Sequence, residues 1–110
     1  MSETPRIIDE TLIREITDRI VEAVHPRRVM LFGSYARGDF GPHSDLDIFV
    51  EMESNEKPYE RRRRIGKLFM GRWWPMDLIV FTPEEVADLR DTIGSIMPTI
   101  EREGKLLYEE

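Results

Sequence analysis

The sequence predicts an α/β domain with a small mixed β-sheet flanked by helices. Three observations carry this expectation. An apolar stripe recurs at helical spacing near the N-terminus, with Ile8, Leu12, Ile16, Ile20 and Val24 four positions apart. Three short apolar runs, bounded by Gly, Pro or Ser turns, have the length and composition of strands. Helical segments alternate with those runs, and that alternation is the signature of a sheet covered by helices.

The elements follow in order. The first helix is expected from about Pro5 to Val24. Thr4 would cap it, Pro5 would hold the first helical position, and His25-Pro26 would end it. Arg28 to Phe32 reads as a buried strand and Leu46 to Glu51 as a second. Pro58 to Met70 reads as a long helix with Ile65, Leu68 and Phe69 inward, and Met76 to Phe81 as a third strand. Thr82 precedes Pro83-Glu84-Glu85, a capped start with an acidic first turn. Helix resumes over about Thr92 to Arg102, with a break near Pro98. Gly104 stops it, and Lys105 to Tyr108 adds an edge strand.

With 110 residues the chain is read as one domain over 1–110, without internal repeats. Its net charge of −6 argues against a general nucleic-acid binder, which wants a basic surface, and suits a basic protein partner. The absence of cysteine excludes disulfides and thiolate metal sites. No apolar run approaches the roughly 20 residues that span a membrane. No leader-like segment is visible either, so a cytoplasmic protein is expected.

Chemistry concentrates in Gly33-Ser34-Tyr35-Ala36-Arg37-Gly38 and in Ser44-Asp45-Leu46-Asp47. Asp45 and Asp47 stand two apart at a strand start, so strand alternation puts both carboxylates on one side. Their repulsion needs compensation, and an all-oxygen ligand set suits Mg²⁺ shared with phosphate oxygens. Gly33 lets a phosphate approach the backbone. Ser34 begins a turn whose free N–H groups and hydroxyl hold anionic oxygen. The connection from Ser34 to Asp45 is too short for a parallel crossover, so the first two strands should pair antiparallel. The helix from Pro58 allows a right-handed crossover that makes strands two and three parallel. Asp77, a charge in an otherwise apolar strand, then falls beside Asp45 and Asp47.

Gly33-Ser34, ten intervening residues, Asp45-x-Asp47 and an aspartate on a later strand resemble the nucleotidyltransferase superfamily related to the DNA polymerase β palm. The Gly-Ser-Tyr-Ala-Arg-Gly wording and the chain's length resemble its minimal nucleotidyltransferases, which include the antitoxins of HEPN–MNT toxin–antitoxin pairs. The resemblance implies that Gly33 and Ser34 bind the β- and γ-phosphates of a nucleoside triphosphate. It implies that Asp45 and Asp47 ligate two Mg²⁺ ions, and that Asp77 ligates the ion that activates the attacking hydroxyl. Arg37 is a candidate to steady the triphosphate. The implied activity is magnesium-dependent transfer of AMP from ATP to a tyrosine of a HEPN-type ribonuclease toxin, with no direct nucleic-acid contact.

Two rivals keep different chemistry: an antitoxin that acts by binding alone, and an enzyme acting on a small hydroxyl compound such as an aminoglycoside. Polymerisation ranks last, because no segment reads as a template grip. Plainer readings apply elsewhere. Arg61 to Arg64 reads as a solvated helix face paired with Glu56 and Glu60. Trp73 and Trp74 read as core or rim packing, His43 as a loop residue and the six methionines as gap fillers.

Overall fold

The computed structural model describes residues 6–110. Its elements are α1 (Glu10–Val24), β1 (Arg28–Phe32), the single turn α2 (Ser34–Arg37), β2 (Leu46–Glu51), α3 (Pro58–Gly66), β3 (Met76–Phe81), α4 (Pro83–Arg90), α5 (Met97–Glu103) and β4 (Lys105–Glu109). The strands form one sheet in the order β3-β2-β1-β4. β1 pairs antiparallel with β2 and β4, whereas β2 and β3 are parallel. The expected mixed sheet, its two pairings and the edge position of the last strand are all present.

Strand alternation divides the core between the two faces of the sheet. Val29, Leu31, Leu46, Ile48, Val50, Leu78 and Val80 meet Ile16 and Ile20 of α1 and Ile65 of α3. Met30, Phe32 and Phe49 face the other way, onto Val86 of α4 and Met97 and Ile100 of α5. The chain is thus a three-layer sandwich, and each strand of its centre is apolar on both faces. Gly104 is needed where α5 hands over to β4: a Cβ there would lie 2.4 Å from the Ile100 carbonyl oxygen and 3.0 Å from that of Leu31.

Helix limits differ from expectation in three places. Thr4 and Pro5 lie outside the described residues, and residues 6–9 are not helical. Asp9 caps α1, its Oδ1 accepting from the Leu12 N–H at 2.9 Å, so the carboxylate takes the N-cap role close to the first buried turn. The helix from Pro58 ends at Gly66 and tightens into a 3-10 turn over Lys67–Phe69. Residues 91–96 form turns through Gly94, at φ +84°, and Pro98 begins α5 rather than breaking it, since a first-turn residue needs no N–H partner. The other stops hold: His25 ends α1 in the left-handed region, and Thr82 with Glu85 forms a complete capping box.

The arginine run is the larger correction. Arg61 is not solvated; it is 3% exposed. Its guanidinium binds both carboxylate oxygens of Glu85, at 2.6 and 3.1 Å, and the Val80 and Glu56 carbonyl oxygens. The reason is its spacing from Ile65 and Phe69, which puts all three on the inner face of the segment. Arg64 does pair with Glu56, at 2.8 Å, as expected. Trp74 packs on the core, edge-on to Phe69 and Trp73, while Trp73 is 39% exposed at the rim. Met30, Met52 and Met97 fill the interior, but Met70 is 80% exposed. His43 lies exposed in the loop before Asp45.

Candidate active site at the aspartate edge

The site is built where β1 ends and β2 and β3 begin. In the β1–β2 ladder Phe32 sits opposite Asp47, and in the β2–β3 ladder Asp47 sits opposite Asp77. One residue beyond Phe32 the chain turns through Gly33, at φ +72° and ψ −154°. A side chain is strained there, and a Cβ would stand 2.1 Å from Asp47 Oδ2. The glycine is therefore required twice, for its backbone conformation and for its contact with the carboxylate. Ser34 then opens α2, closed by bonds from the Ala36 and Arg37 N–H groups to the Gly33 carbonyl oxygen, both 3.1 Å. The N–H groups of Ser34 and Tyr35 begin that turn, where a helix has no internal acceptors for them.

β2 begins at Leu46, so Asp45 stands just outside the ladder and is exposed, as is Asp77. Leu46 donates to the Pro75 carbonyl oxygen at 2.9 Å, which ties the segment before β3 between Asp45 and Asp47. Asp47 is half-buried. Burial first, then the charges of Asp77 and Asp45, push its pKa up to about 6, against a weaker pull from Arg37. The carboxylates thus share one field, and among the described residues no Lys, Arg or His side chain pairs with them within 4.0 Å. Arg37 acts at range: its own guanidinium contacts Asp39 at 3.2 Å and Glu103 at 4.0 Å.

The structure brings Gly33, Asp47 and Asp77 together and sets Asp45 and Arg37 at the margin. Among the described residues no three His, Asp or Glu side chains close on one point as a finished metal cage. The donor set nevertheless fits a hard divalent cation. It is all oxygen, partly solvated, and carries an unneutralised charge that a cation would relieve, whereas a softer metal would want nitrogen or sulfur. A concavity of about 770 Å³ lies elsewhere, between α1, Tyr35, Phe40 and Leu107. It opens beside α2 on the α1 side of the sheet. The aspartates occupy the other side, and the placement of charge is what marks them as the candidate site. Phe40 stacks on Tyr35 at 4.3 Å between ring centres, a pairing that the sequence did not suggest.

Comparison with known proteins bears on the family and the fold. A profile of the nucleotidyltransferase domain family matches residues 12–106. No curated protein matches the chain by sequence. A protein from Sulfolobus solfataricus, described as a nucleotidyltransferase, superposes with a TM-score of 0.64 at 21% identity, over 91% of this chain and 79% of that one. A toxin–antitoxin structure solved with AMP-PNP gives 0.65 at 23% identity, over 87% and 72%. A mutant MntA–HpeT toxin–antitoxin complex gives 0.65 at 20% identity, over 94% and 75%. At these identities the likeness is one of fold.

Proposed function

The chain belongs to the nucleotidyltransferase domain family, and from that premise we propose that it transfers AMP from ATP to a tyrosine hydroxyl of a HEPN-type ribonuclease toxin, acting as the toxin's antitoxin. The observation that carries the reading is the contact of Gly33 with Asp47, directly across from Asp77. A turn that can hold phosphate abuts carboxylates that can hold metal.

Asp45, Asp47 and Asp77 would hold Mg²⁺, which when bound neutralises phosphate charge and lowers the pKa of a coordinated hydroxyl. Gly33 leaves the backbone bare for the triphosphate, and the Ser34 hydroxyl and N–H donate to its outer oxygens. Arg37 lends positive potential near the same anion. The acceptor oxygen forms a bond to the α-phosphorus as the bond to the bridging oxygen breaks. Pyrophosphate leaves with that electron pair, and the hydroxyl proton passes to Asp77 or to water. Support for the antitoxin role comes from the toxin–antitoxin neighbours, one solved with AMP-PNP and one carrying Asp-to-Glu changes at two positions two apart, the spacing of Asp45 and Asp47.

The test combines the purified chain with the HEPN-type toxin proposed as its partner, α-labelled ATP and Mg²⁺. Label should enter the toxin and disappear when its acceptor tyrosine is changed to phenylalanine. A folded chain that leaves the toxin unlabelled rejects transfer. Survival of toxin neutralisation in Asp45→Asn and Asp77→Asn would instead identify inhibition by binding alone.

A further inference from the structure

The strip of α3 that faces away from the core is charged in the opposite sense to the protein as a whole. Between Lys57 and Met76 there are seven Lys or Arg residues and one Glu, in a chain of net charge −6. Arg61 and Ile65 turn inward, which leaves Tyr59, Arg62, Arg63, Lys67 and Met70 exposed along the outer side. Arg64 is held by Glu56, whereas Arg62, Arg63 and Lys67 have no acidic side chain within 4.0 Å among the described residues. Three adjacent unpaired cations repel one another, and an anionic surface relieves that repulsion. Apolar area accompanies the charge: Tyr59 is 55% exposed and Met70 80%.

The strip also has a direction. α3 begins at the end of the sheet where Arg61 meets Glu85, and the chain returns from it to the aspartate edge. There the segment of Met70, Arg72 and Trp73 leads to Pro75, whose carbonyl oxygen is bonded to Leu46 between Asp45 and Asp47. Trp74, packed on the core, anchors this segment by its edge-on contact with Trp73.

We propose that this outer face of α3 is the docking surface for a partner protein presenting acidic and apolar side chains, and that it delivers the partner's acceptor hydroxyl to the rim of Asp77. The proposal rests on the transfer reading above and adds the chemistry of the partner's surface. Charge complementarity selects the occupant. Exposed apolar side chains at both ends of the cationic strip favour a folded protein surface over a nucleic-acid strand, whose phosphates would leave Met70 unmatched.

The experiment measures binding of the full chain to the HEPN-type toxin proposed as its partner by calorimetry, and to a single-stranded 20-nucleotide RNA by fluorescence anisotropy. The chain is compared with the R62E/R63E/K67E variant, the neutral R62Q/R63Q/K67Q variant and Met70→Asp. Toxin affinity is expected to fall at least tenfold on charge reversal, less on neutralisation, and several-fold for Met70→Asp, with a steep salt dependence in the parent that the variants lose. Binding of a fluorescent ATP analogue with Mg²⁺ should stay unchanged in all three, since none of these residues belongs to the aspartate edge. Unchanged toxin affinity in the folded variants overturns the proposal, as does RNA binding that is tighter than toxin binding and is lost on charge reversal. Normal docking without nucleotide transfer would instead count against the transfer reading and leave the docking surface standing.

Discussion

The two ends of the β2–β3 pair treat charge in opposite ways. At the far end Arg61 closes on Glu85, which also caps α4, and Arg28 joins Glu51 at 2.8 Å and Glu101 at 3.1 Å. Each buried charge there meets its opposite, and the Arg61 bond holds the Glu85 carboxyl below its usual pKa. At the near end Asp47 lies opposite Asp77 with Asp45 at the margin, and Asp47 is pushed the other way. A matched buried pair is costly to break, because removing one partner strands the other. Like charge held together weakens a fold, and that arrangement persists where a ligand supplies the counter-charge. The contrast sets a structural cluster apart from the proposed functional one without reference to cavity shape.

The strongest way to break this comparison is to neutralise the near end. Asp77→Asn and Asp45→Asn should each lower nucleotide transfer by about 100-fold or more, as expected for lost transition-state electrostatics, while leaving the melting temperature unchanged or raised. A fall in activity accompanied by an equal loss of stability would make these carboxylates structural. At the far end, Arg61→Gln should cost about 2–3 kcal/mol in urea unfolding, short of a fully buried pair because Glu85 keeps solvent contact. Binding of a Mg²⁺–nucleotide by the folded fraction should persist.

Gly33→Ala couples the two properties. Its positive φ and the overlap with Asp47 should cost about 1–3 kcal/mol in stability and abolish nucleotide binding measured by fluorescence. The smallest effect is in pH dependence, where the two ends should differ in sign. The raised pKa of Asp47 makes its contribution to stability complete below pH 3.8 and lost as pH rises to about 6. In chelator, Asp47→Asn should therefore melt higher than the parent at pH 7.5, with the gap closing at pH 4. Glu85 behaves oppositely: its lowered pKa gives stability above pH 4.5 that is lost as pH falls through its folded value. The deficit of Arg61→Gln should shrink in acid melts. Addition of Mg²⁺ should stabilise the parent and not Asp47→Asn.

Most of the architecture was legible because it rests on local rules. The bounds of the first three strands follow from apolar runs between turn residues, and the β1–β2 and β2–β3 directions follow from connection length. The convergence of Asp47 with Asp77 followed from those directions. Less legible were the helix starts, where several caps compete: Asp9 took the role expected of Thr4, and Pro98 opened a helix instead of interrupting one.

The sequence by itself determined the mixed sheet, the Gly33 turn and the meeting of the aspartates at one edge, since alternation and loop length are properties of the chain alone. Only the tertiary structure decided that Gly33 touches Asp47, that Arg61 is an interior residue bound to Glu85, and that its neighbours Arg62, Arg63 and Lys67 lie outside with no acidic partner among the described residues. Four adjacent arginines look alike in sequence. Ile65 and Phe69 mark the covered side of α3, four and eight residues on from Arg61, but the acid that meets Arg61 is brought within reach by another element, and no local pattern encodes that pairing.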